Sequence, residues 1–194
     1  LRMSVLHDCA TSESFEPDVA TWKDLKQRYA AWWYCCIPVP VIRKNGMPLP
    51  FFVRFDDAEY GMRCKPRIMT LNGICIWHLA FFMRYNAAVE RYQTMRNGLI
   101  GQAITGVAPL TDFIEELQRN VMIELVKFNY ADAELVLEGF EDYLAGPKRF
   151  LQKGFAERRF MEANKNKEKQ LPLAELRERV KDQFDLDLEK IGTD

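Results

Sequence analysis

A chain of 194 residues with 48% apolar and 12% aromatic content is too apolar to stay disordered, and it is long enough for one domain with a real core plus an appendage. A net charge of −1 excludes a general affinity for polyanions, yet residues 111–146 carry nine acidic and two basic side chains and residues 147–170 carry three acidic and eight basic. Five cysteines without repeated spacing suit a reduced, cytoplasmic setting better than a disulfide framework, and no apolar run reaches the roughly 18 residues of a membrane helix.

Residues 1–17 show no periodicity and read as an irregular arm. Trp22, Leu25, Tyr29 and Trp32 then recur at helical spacing, which predicts a helix over 18–34. From 39 to 55, two extended-looking runs flank Asn45-Gly46, the dipeptide that a type I′ turn favours, so a β-hairpin is expected there. Pro38, Pro40, Pro48 and Pro50 cannot donate to a ladder and would limit its pairing to an edge. Asp56 to Gly61 reads as an acidic turn, followed by a short extended piece over 62–69.

The stretch 72–97 is the centre of the predicted fold. Its first half is apolar on every side, which predicts a long buried central helix; from Arg84 onward the pattern becomes one-sided, with Tyr85, Ala88, Tyr92 and Met95 inward and Glu90, Arg91, Gln93 and Arg96 outward. Asn97-Gly98 is expected to end it, and 99–109 to form a glycine-punctuated connection. Thr111 caps a predicted helix facing the core with Ile114, Leu117, Val121, Leu125 and Phe128. Another carries Leu135, Val136, Phe140, Tyr143 and Leu144 and closes at Gly146-Pro147, where a further helix opens. The fold class is therefore mainly α: a single helical domain over 18–163 with a small hairpin, a polar linker at 164–172 and an amphipathic helix at 173–191.

Candidate chemistry is sparse. His78 on the apolar helix reads as a core imidazole, and His7-Asp8-Cys9 are neighbours that seldom point at one another. Cys75 and His78 share a helix face but lack the paired motifs of a zinc site, and Cys35-Cys36 reads as two small buried residues. Gly101 to Gly106 lacks the lysine of a phosphate loop. Asp56, Asp57 and Glu59 suit either a divalent cation or paired carboxylates, against the commoner reading of a solvated turn. No metal or cofactor is expected.

The basic run Lys148, Arg149, Lys153, Arg158 and Arg159, interleaved with Phe150, Phe155 and Phe160, offers a surface for phosphates or for the acidic segment before it. Trp32, Trp33 and Tyr34 are residue types that dominate interfaces. These features predict a non-enzymatic protein that binds another protein as an inhibitor, adaptor or regulator of a larger machine, of the kind plasmids and phages encode. The alternative is a nucleic-acid-associated factor using 148–169. An enzyme built on His78 or on Asp56, Asp57 and Glu59 is the third class, and it requires these groups to meet in one cleft.

Overall fold

In the computed structural model, residues 29, 32–33, 35–65, 85–106 and 112–190 are described, and every regular element among them is helical. In chain order these are α1 (Val39–Asn45), α2 (Asp56–Cys64), a π-helical turn (Ala88–Gln93) leading directly into α3 (Thr94–Thr105), α4 (Phe113–Val126), α5 (Tyr130–Leu144), the single turn α6 (Pro147–Phe150), α7 (Phe155–Asn166) and α8 (Leu173–Phe184). The predicted helix over 18–34 and the first half of the central helix lie outside the described residues.

The expected hairpin is absent, for a reason its own residues supply. Pro38 caps α1 and Pro40 stands in its first turn, where a missing N–H is no loss. Asn45-Gly46 then ends a helix: Gly46 takes φ of 76° and the Asn45 amide donates to the Val41 carbonyl at 2.9 Å. Asn-Gly serves helix ends and hairpins through the same freedom at positive φ, and the prolines decide between them. The predicted acidic turn is the first turn of α2, where Asp56, Asp57 and Glu59 lie at the positive end of the helix dipole.

The central rod differs from expectation in phase and extent. Tyr85 and Asn86 are not helical, and the Asn86 side chain accepts from the Ala88 amide at 2.9 Å, so that Asn86 opens the helical stretch that follows it. That helix runs through Asn97-Gly98 to Thr105 and is closed by Gly106 at φ of 79°. Gly98 lies mid-helix because the Phe55 ring would come within 3.2 Å of a Cβ there. The rod does not leave the core either: Gln93, Arg96 and Asn97, read as an outer or terminal face, are fully buried.

Around the rod, Met95 and Leu99 pack with Val136 of α5, flanked by Leu117 and Val121 of α4. Tyr92 packs with Leu135 and with Ala163 of α7. Phe51, Phe150 and Phe155 form a third cluster under the segment before α2. On α4 the predicted core face is only partly used, since Ile114, Leu125 and Phe128 are exposed. Glu124 takes their place inward, bound by Arg91 of the π turn at 2.8 Å, by Lys127 and by Asn129. Burial works to raise the Glu124 pKa, but these donors together hold it below the usual range.

The α5 helix crosses the π turn at Gly139, where a Cβ would meet the Tyr92 carbonyl oxygen at 2.6 Å. Backbone cannot give way as a flexible side chain does. Gly139→Ala is therefore expected to cost about 1–3 kcal/mol, as overpacking does. A urea titration should show a lower midpoint with an unchanged slope.

Candidate active site

Phe51 to Phe55 form a tight irregular loop in which Phe52, Arg54 and Phe55 all have positive φ (75°, 69° and 65°). Side chains other than glycine pay about 1–3 kcal/mol for each such residue, so the surroundings must enforce the shape. They do so from α3. The Asn97 amide donates to the carbonyls of Val53 at 2.7 Å and Arg54 at 2.9 Å, and Arg96 donates to the Phe51 carbonyl at 3.2 Å. An ion pair between Arg54 and Glu90 ties the loop to the π turn.

The loop delivers the chain into α2 with Asp56 and Asp57 as its first residues. Asp57 is half-buried; the Ala58 amide donates to its carboxylate at 2.7 Å. Burial pushes its pKa above the ordinary carboxylate range, opposed by the Ala58 hydrogen bond and reinforced by the charge of Asp56. A helix N-terminus by itself favours the ionised form, so desolvation outweighs the dipole here. Tyr29 lies against the same helix, because Gly61 has no Cβ and one would come within 2.6 Å of the Tyr29 Cβ. Burial and then the charge of Asp57 raise the Tyr29 hydroxyl pKa.

The third carboxylate turns elsewhere. Glu59 is fully buried and paired to Arg63 at 2.5 Å, while Arg63 also donates to the carbonyls of Asn45 and Met47 and so fastens α2 to the end of α1. Among the described residues no three His, Cys, Asp or Glu side chains converge as a metal ion requires. Asp56 and Asp57 remain a pair. Beyond Phe55, a cleft of about 620 Å³ opens between the rod and α4, walled by Phe55, Glu90, Met95, Phe113, Glu116 and Asn120.

The residues singled out in the sequence are scattered. Trp32 is half-buried with its ring edge on Tyr60, 5.7 Å between centroids, and Trp33 is exposed. Tyr34, His7, Cys9, Cys75 and His78 lie outside the described residues. Cys35 and Cys36 are exposed free thiols, not buried ones. Arg159 is held by Asp142 and Glu138 of α5, both at 2.9 Å, and by Glu162. Arg149 approaches Asp142 at 3.4 Å, Arg158 donates to the Lys153 carbonyl, and Lys148 and Lys153 are exposed. The sequence pattern assigns Arg96 to an outer face, Asn97 to a helix end and Phe51–Phe55 to a strand, and none of them to a site. The available signal was the run Gln93, Arg96, Asn97 on a helix otherwise marked for burial.

No family profile matches the chain, and no solved structure does. Two curated proteins do: the galactofuranosyltransferase GlfT2 of Mycolicibacterium smegmatis, 31% identical over 150 residues, and that of Mycobacterium tuberculosis, 32% identical over 127. The matches cover 73% and 62% of this chain but only 23% and 20% of those proteins, so the chain spans about a fifth of the length of the relatives it matches. Both relatives are named as sugar-transferring enzymes. This likeness overturns the expectation of a non-enzymatic interaction module, whether inhibitor, adaptor or regulator. That expectation rested on the sparseness of histidine and metal motifs, yet carboxylates also serve as general acids and bases. Among the described residues no helix is long and apolar enough to cross a membrane.

Proposed function

We propose that this chain is the carboxylate-bearing part of a glycosyltransferase of the galactofuranosyltransferase kind, with Asp57 as the general base. In such a transfer the acceptor hydroxyl oxygen bonds to the anomeric carbon of the donor sugar. The donor's leaving group departs with the electron pair of the broken bond, and the acceptor's proton needs somewhere to go. A carboxylate whose pKa is raised by its surroundings takes that proton more readily than a fully solvated one.

The observation that carries this reading is the state of Asp57: desolvated at a helix N-terminus that would otherwise favour its charge, beside a second carboxylate, at the end of a strained loop. A solvated acidic turn has none of these features. Strained backbone held by buried donors is a common mark of sites where geometry matters more than stability. Burial raises the Asp57 proton affinity, and the charge of Asp56 adds to it. Phe55 brings the same loop to the cleft, where its ring suits the C–H face of a sugar and the rim carboxylates and amides suit hydroxyls.

The test is a transfer assay on the full-length native protein with an activated galactofuranosyl donor and a galactofuranose-terminated oligosaccharide. The expected product is the acceptor longer by one sugar. Hydrolysis of the donor alone, or no consumption of it at all, would remove the proposal.

A further inference from the structure

We infer that Asn97 is a positioning residue for the transfer, acting through the Phe51–Phe55 loop to fix where Asp57 presents its carboxylate. The inference rests on the reading of Asp57 as the base. Its basis is geometric. Asn97 is fully buried, and its one amide group is spent mostly on the two carbonyls of Val53 and Arg54, at 2.7 and 2.9 Å. Arg54 and Phe55 are both left-handed and immediately precede Asp56 and Asp57. No regular ladder holds this segment, so removal of that donor leaves half-buried carbonyls without their partner and frees the loop to relax.

The Asn97 side chain is itself fixed. Arg96 donates to its oxygen at 2.9 Å, and its amide also reaches the side-chain oxygen Oε1 of Gln93 at 3.1 Å. The absence of a side chain at Gly98 lets the Phe55 ring lie against the next position of the helix. The arrangement is a hydrogen-bonded latch beside a ring seat, both on α3 and both addressed to residues just ahead of the carboxylate pair.

Asn97→Asp tests it in the full-length protein, because the substitution keeps the shape but replaces the donor by an acceptor that repels the same carbonyls. Amide exchange across 51–57 should rise about tenfold or more, and kcat for galactofuranosyl transfer should fall about tenfold or more with donor KM within about threefold. The acid limb of the rate profile should move to lower pH as Asp57 gains solvent. Asn97→Ser, which keeps a shorter donor, should fall between and serves if the first variant folds poorly. Asp132→Ala provides a comparator, because it removes a buried acceptor whose partners, the Tyr85 hydroxyl and the Glu168 amide, belong neither to the loop nor to α3; its exchange across 51–57 and its acid limb should match the native protein. Unchanged loop exchange in Asn97→Asp, or an equal rise in the comparator, overturns the proposal. So does full activity in Asn97→Asp when Asp57→Asn is inactive. Full activity in Asp57→Asn would instead overturn the reading beneath it.

Discussion

Asp57→Asn is expected to lower the rate of sugar transfer by about 10²- to 10⁴-fold, the usual worth of a positioned general base. The amide retains an oxygen to accept from the Ala58 amide, so the start of α2 should persist and donor KM should change little. The native rate should fall on acidification through a pKa above the ordinary aspartate value of about 3.9, since only the ionised group accepts a proton. The stability effect has the opposite sense. A folded-state pKa raised above the unfolded one gives stability that is complete below the unfolded pKa and is lost as pH rises through the folded one. At neutral pH the ionised, half-buried Asp57 therefore works against folding, and the variant should melt slightly higher while losing activity. A variant that keeps the native rate would remove Asp57 from the chemistry, and one that melts lower would mean that its carboxylate is structural.

Arg96→Met is expected to be the most destabilising single change in the described chain, by about 3–5 kcal/mol. Arg96 is fully buried, donating to the Tyr92 hydroxyl at 2.6 Å, Gln93 at 2.7 Å, Asn97 at 2.9 Å and the Phe51 carbonyl at 3.2 Å. Its guanidinium also lies within 6 Å of the ring centroids of Tyr92, Phe150 and Phe155. Burial lowers its pKa, but the Tyr92 hydroxyl and Asp142 counter this, and Tyr92 passes the contact on by donating to Asp142 at 2.8 Å. Methionine matches the stem but takes the Arg96 donors from four acceptors in a dry interior. Calorimetry should show a melting point lower by on the order of 10 °C, a loss that added salt does not alter because the group is shielded. A shift of one or two degrees would show that water enters and satisfies the orphaned groups.

The helical class of the fold was legible because Leu135, Val136, Tyr92 and Met95 obey the helical period and are buried where that period puts them. What misled was chemistry with two uses. Asn45-Gly46 and Asn97-Gly98 are the same dipeptide; the first ends a helix after a proline-started turn, and the second runs through one because a phenyl ring occupies the space beside it. The carboxylate pair was visible, but its environment was not, since desolvation depends on Tyr29, Gly61 and a loop whose shape is set some 40 residues later by Asn97. Polar residues on a buried helix look like its outer face until their partners are known. Glu124 and Arg96 both went inward because each found enough partners to replace water.

The widened turn at Ala88–Gln93 holds one residue more than an α-helix of the same length would need, with the Thr94 amide and hydroxyl both reaching back to the Val89 carbonyl, five residues earlier. Each residue of an α-helix advances its neighbours by about 100°, so this insertion sets the azimuth of everything downstream. Shortening the turn by a single residue would swing the guanidinium and the amide that grip the loop a quarter-turn or more around the rod, and the carboxylate pair would lose its mount without any change in its own segment.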